Sequence, residues 1–156
     1  MPWFRQPISW RIMQPDPLGP MRLRLRSCVD IEIERVAGDW ITVKDFALVD
    51  SGASYTTISA DWARAIGLSI PVNSSRLPVV TAAGRFDHIV HDGDIRIRFV
   101  RMPEVEFTLG CVFSENYSPS SPLLIGLHNI LDHWSFGFHG ESDPDAPMGH
   151  MRFETQ

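Results

Sequence analysis

The sequence predicts an all-β domain with one or two short helices, and three observations support that reading. Apolar and polar residues alternate with a period of two along most of the chain. Turn-forming residues punctuate the alternation at short intervals. Only two segments, residues 60–66 and 127–133, read as helix. At 156 residues the chain is about one domain, with room for a real core but not for two lobes that each carry a site.

Residues 1–20 hold prolines at positions 2, 7, 15, 17 and 20. Proline lacks the amide donor of a central strand and breaks a helix, so this stretch reads as an extended arm or linker, with 21–156 as the domain proper. Its tryptophans, Trp3 and Trp10, argue against a fully disordered arm, because large apolar side chains usually find a surface to cover. From Met21 the alternation is strict: Met21, Leu23, Leu25, Ser27, Val29, Ile31 and Ile33 share one parity, and arginines and acids fill the other. That predicts one long half-buried strand, a turn at Ala37-Gly38-Asp39, and a returning strand from Trp40 to Val49.

Ser59 is placed to cap a short helix, Ala60 to Ile66, which Gly67 ends and Pro71 prevents from continuing. A hairpin follows: Arg76 to Val80 goes out, Thr81 to Arg85 forms a tip of small residues, and Phe86 to Val90 returns. Asp92-Gly93-Asp94 reads as a further turn before a strand carrying Ile95, Ile97 and Phe99. Val105, Phe107, Leu109, Cys111 and Phe113 then share one parity. Asn116 to Pro122 is a loop, Leu123-Leu124-Ile125-Gly126 a short buried strand ending at a glycine, and Leu127 to His133 a second helix. Two last strands, Ser135 to His139 and His150 to Thr155, are expected to pair. The final strand is also the expected site of pairing with a symmetric partner, since terminal edges invite one.

The formal net charge of −5, from 14 Lys and Arg against 19 Asp and Glu, provides no basic footprint for nucleic acid or for a membrane surface. Cys28 and Cys111 read as buried small hydrophobes rather than a disulfide. The N-terminus lacks the apolar core of a secretory signal, and no apolar run is long enough to span a bilayer. A cytoplasmic protein is the resulting expectation.

One pentapeptide carries chemistry. Asp50-Ser51-Gly52-Ala53-Ser54 follows the apolar run Phe46 to Val49, so it places a carboxylate at the mouth of a strand, on a glycine turn and among hydroxyls. Alone, such a string is commonly a turn closed by an Asx-type hydrogen bond. It is joined here by the central hairpin and by Leu124-Ile125-Gly126. In that order the three resemble the retropepsin family, the retroviral-type aspartic proteases and their cellular relatives, over about Val29 to Thr155.

The resemblance implies a closed acid-protease barrel with the active site at a homodimer interface. Each chain brings one catalytic Asp50, supported by Ser51, Gly52, Ala53 and Ser54. A lone carboxylate cannot serve as base and acid together, and two in contact share a proton because both cannot ionise cheaply. The implied activity is an aspartic endopeptidase acting on a peptide or protein substrate, with no cofactor and no metal. The flap and substrate-binding positions would be Val80, Thr81, Ala82, Ala83 and Gly84, with Leu124, Ile125 and Gly126. Val80, Leu124 and Ile125 suggest an apolar lining.

Ser51 stands where retroviral enzymes more often carry threonine, and Ser54 where they often carry aspartate. Leu127 and His128 alter the spacing after Gly126. The alternative within the same fold is a dimerisation or peptide-binding module whose hydrolysis is vestigial. A metallohydrolase using His88 and His91 is disfavoured, because residues three apart on a strand point to opposite faces.

Overall fold

A computed structural model of the chain describes residues 3–7, 9–12, 23–26, 28–50, 52–81, 84–126, 128, 132–140, 144–146 and 149–155. Its strands in chain order begin with β1 (Trp3–Pro7), β2 (Ser9–Ile12), β3 (Leu23–Arg26), β4 (Cys28–Val36), β5 (Asp39–Val49) and β6 (Thr56–Ser59). Helix α1 (Ala60–Ala65) follows, then β7 (Ser75–Thr81), β8 (Gly84–Phe99), β9 (Met102–Ser114), β10 (Leu123–Ile125), β11 (Trp134–His139) and β12 (His150–Thr155). The described residues are all-β apart from α1 and the helical positions 128, 132 and 133.

Six strands close into a barrel in the order β4-β5-β10-β6-β9-β8, and a β4–β8 pairing at Ile31↔Phe99 and Ile33↔Ile97 completes the ring. The alternating pattern explains the closure. Val29, Ile31 and Ile33 on β4, Ile97 on β8 and Leu109 on β9 are all fully buried, while Glu32, Glu34, Arg96, Arg98 and Thr108 on the opposite parity are at least partly exposed. Each such branched side chain contributes about 1.5–3 kcal/mol by leaving water. The outer face is charged: Arg98 Nε donates to Glu32 at 2.5 Å, Arg96 pairs with Glu34 and Glu106, and the Arg98 guanidinium lies 4.3 Å from the Trp40 ring centroid.

Ser59 caps α1 as expected, its hydroxyl accepting from the Trp62 amide at 3.3 Å, and Gly67 at φ 83° follows the helix end. Of the second helix expected over Leu127 to His133, residues 127 and 129–131 lie outside the described residues; His128, Asp132 and His133 are helical.

Four expectations need correction or refinement. The alternation from Met21 to Glu34 serves two sheets rather than one long strand. β3 pairs with β2 as a separate ribbon, and β4 enters the barrel. Asp92-Gly93-Asp94 is not a turn: β8 runs straight through it, with Gly93 opposite Cys111. Glycine is there for space, since a Cβ would lie 2.9 Å from Pro71 Cγ and 3.2 Å from Phe113 Cε2. The described residues of the arm are strands, with β1 pairing with residues 150–154 of β12. Consequently β12 lies between β1 and β11 and offers no free edge to a partner, contrary to the expectation for His150 to Thr155. Phe99 links the two sheets: its ring is 4.7 Å from Phe4, 4.7 Å from Trp134 and 5.4 Å from Phe153.

Candidate functional site

The last residues of β5 are held by β10. Ala47, Leu48 and Val49 pair in parallel with Leu123, Leu124 and Ile125, and the Asp50 amide continues the ladder by donating to the Ile125 carbonyl at 3.1 Å. Beyond that bond the chain turns. The Ala53 amide donates to the Asp50 carbonyl at 3.2 Å, and the Gly52 amide donates to Asp50 Oδ1 at 2.8 Å. A Cβ on Gly52 would sit 3.2 Å from that same oxygen, so glycine lets the amide approach the carboxylate.

Gly126 locks the second side of the loop. Its amide donates to Thr56 Oγ1 at 3.2 Å, and a Cβ there would fall 2.4 Å from the Tyr55 carbonyl carbon. The His128 amide donates to the Ser54 carbonyl at 3.3 Å, and the Tyr55 and His128 rings stack at 5.7 Å. Two segments about 75 residues apart in sequence therefore hold Asp50 in place.

The half-buried Asp50 opens into a cleft of about 490 Å³. Gly52, Ala53 and Ser54 form its rim beside the carboxylate. Leu77, Pro78, Val79 and Val80 of β7 form one wall, and His88, Val90, Val112, Ser114 and Leu124 line the remainder. Among these lining residues Asp50 is the sole carboxylate. The β7–β8 hairpin borders the cleft, with Thr81 paired to Gly84. Gly84 has φ 127°, a left-handed value that favours glycine, and Val80 and Phe86 are 78% and 48% exposed.

Of the residues singled out from sequence, Asp50, Gly52, Ala53, Ser54, Val80 and Leu124 meet at the cleft. Ile125 and Gly126 sit behind it: Ile125 is a fully buried core residue, so only its carbonyl serves the site, and it does not line the cavity as expected. Gly84 is at the hairpin tip. Ser51, Ala82 and Ala83 lie outside the described residues, as does the side chain of Thr81.

Several lining residues were not foreseen, among them Leu77, Val112, Ser114 and His88. Val112 carried a signal, being an apolar residue on the β9 parity that also carries Glu104, Glu106 and Thr108. Its 8% exposure reflects burial beneath the cleft rather than in the barrel interior.

His88 and His91 do not share a ligand. His88 Nδ1 lies 3.1 Å from Ser114 Oγ, whereas His91 Nε2 lies 2.8 Å from Glu115 Oε1. Glu115 also receives both terminal nitrogens of Arg64, at 3.0 and 2.5 Å, which ties the α1 helix to the end of β9. The Arg64 hydrogen bond is the main cause that lowers the Glu115 carboxyl to about 2, with His91 adding to it and burial opposing. Among the described residues no group of three His, Cys, Asp or Glu side chains is placed to hold a metal ion. Burial raises the Cys111 thiol far above its ordinary value, and neither Cys28 nor Cys111 is in a disulfide. No helix among the described residues is long and apolar enough to cross a membrane.

No protein-family model and no curated protein matches the chain.

Proposed function

We propose that the chain is a retropepsin-like aspartic endopeptidase, active as a homodimer in which each copy supplies Asp50. The observation that carries this reading is the position of Asp50. A single carboxylate, braced by Gly52 and by the Ile125 carbonyl through its own amide, opens into an apolar cleft bordered by a hairpin. An extended peptide fits such a cleft, and the hairpin edge can bond its backbone.

One carboxylate leaves the chemistry incomplete, and two-fold symmetry supplies the second. With two Asp50 side chains sharing one proton, the ionised member takes a proton from water as the oxygen attacks the scissile carbonyl carbon. The protonated member gives its proton to the carbonyl oxygen. The resulting tetrahedral diol collapses when a proton reaches the amide nitrogen and the C–N bond breaks, leaving an acid and an amine. No covalent acyl-enzyme forms. The two buried thiols, outside any disulfide, suit a reducing compartment, and we place the protein in the cytoplasm on that basis.

The test is hydrolysis of a mixed peptide library by the native chain and by Asp50→Asn, alongside sedimentation across a concentration range. Native cleavage that is blocked by a statine-type mimic and lost in the variant is the expected result. Cleavage that survives Asp50→Asn, or a monomer at every concentration, overturns the mechanism. Peptide binding without cleavage would identify the vestigial binding module instead.

A further inference from the structure

The apolar cleft beside Asp50 holds one imidazole, that of His88, and Ser114 orients it. Ser114 is 1% exposed, and its Oγ accepts the Asn116 amide at 3.2 Å. That bond leaves the hydroxyl hydrogen and a second lone pair, and we take the hydrogen as given to His88 Nδ1, 3.1 Å away. A neutral His88 whose Nδ1 accepts must carry its proton on Nε2. The ring's remaining polar atom is then an N–H donor.

Two other hydroxyls along the cleft are committed elsewhere. Tyr117 donates to the Pro122 carbonyl at 2.7 Å, and Thr57 donates to the Tyr55 carbonyl at 3.2 Å. Around His88 the lining is aliphatic, with Leu77 directly opposite it on β7 and Val90 and Val112 nearby in the wall. A fixed donor in an apolar wall discriminates strongly, because a ligand that covers it without an acceptor leaves it unpaired.

We infer that His88, oriented by Ser114, is a specificity-determining residue that selects a substrate side chain bearing a carbonyl-type oxygen, a carboxamide or carboxylate, over an aliphatic one of equal size. The inference rests on the reading that the Asp50 cleft receives a peptide. It assigns His88 no part in bond cleavage, and Ser114 acts through it as a positioning residue.

The experiment uses three peptides identical except for Gln, Glu or Leu at the position flanking the scissile bond that the library shows to be most selective. Cleavage is compared for the native chain, His88→Leu, His88→Gln and Ser114→Ala. Binding of the same peptides to Asp50→Asn, with and without His88→Leu, is measured in parallel.

Native enzyme should favour Gln or Glu over Leu by about tenfold in kcat/KM. His88→Leu should invert the preference, and His88→Gln, which keeps an N–H donor, should restore most of it. Ser114→Ala should narrow it. The ratio of Gln to Glu distinguishes a neutral imidazole from a charged one. A merely structural role would lower all three peptides together, and an unchanged ratio in His88→Leu overturns the inference while leaving the peptidase reading intact. Failure of every peptide to be cleaved or bound overturns both.

Discussion

The Asp50 amide donates to the Ile125 carbonyl at 3.1 Å, so the residue that carries the acid is an extra rung on a parallel pair formed by strands from opposite halves of the chain. Gly126, next in line, has its α-carbon against the Tyr55 backbone, where a Cβ would approach to 2.4 Å. The obstacle is backbone, which cannot swing aside as a side chain can. Gly126→Ala should therefore cost at least about 2 kcal/mol in urea denaturation. It should lower hydrolysis more than stability alone explains, because the loop it displaces holds Asp50.

The first strand is a structural part of the domain. Phe4 is 6% exposed, stacks on Phe153 at 5.0 Å and meets Phe99 at 4.7 Å. Phe4→Ala should cost about 3 kcal/mol, the range of a buried phenylalanine truncation. A value within about 0.5 kcal/mol, typical of a surface position, would mean the arm is a linker.

Most of the barrel was legible because its signal is local. Period-two alternation needs no knowledge of partners, and β4, β5, β9 and β12 follow it; the Ser59 cap is local in the same sense, through its hydroxyl at a helix start. Pairing is another matter. The stretch from Met21 to Glu34 shows one continuous alternation, yet its first part joins β2 and its second joins the barrel; periodicity reports which face is apolar, not what covers it. Asp50 was legible through its turn chemistry. His88 and Ser114 were not, because their meeting depends on the β8–β9 pairing, which brings together residues 26 apart in sequence. The covered edges of β12 were hidden for the same reason: prolines in the arm signal extension but not its destination.

Gly93 sets two effects of known size against each other. Within a strand, glycine is disfavoured relative to alanine by about 0.5–1 kcal/mol, so Gly93→Ala gains that much from the unfolded chain. Against this, the new methyl would lie 2.9 and 3.3 Å from two atoms of the rigid Pro71 ring and 3.2 Å from Phe113. Overpacking of that kind costs about 1–3 kcal/mol. The steric term should win, with Gly93→Ala destabilised by about 1 kcal/mol in chemical denaturation. A more stable variant would show that the loop carrying Pro71 yields freely.

Acid should loosen the tie between α1 and the end of β9. Glu115 has its carboxyl lowered from 4.5 to about 2, chiefly by its hydrogen bond to Arg64. A group whose folded value is depressed contributes stability above its unfolded value and loses it as pH falls through the folded one. The Glu115 contribution should thus be complete above about pH 5, fade below the ordinary value of 4.5, and be gone near pH 2. Glu115→Gln removes the charge at every pH. Thermal unfolding of the native chain and this variant should differ most at neutral pH and converge toward pH 2, with the difference shrinking in high salt because Arg64 is 48% exposed. Parallel melting curves with a constant gap from pH 7 to pH 2 would show that Glu115 acts through packing and not through its charge.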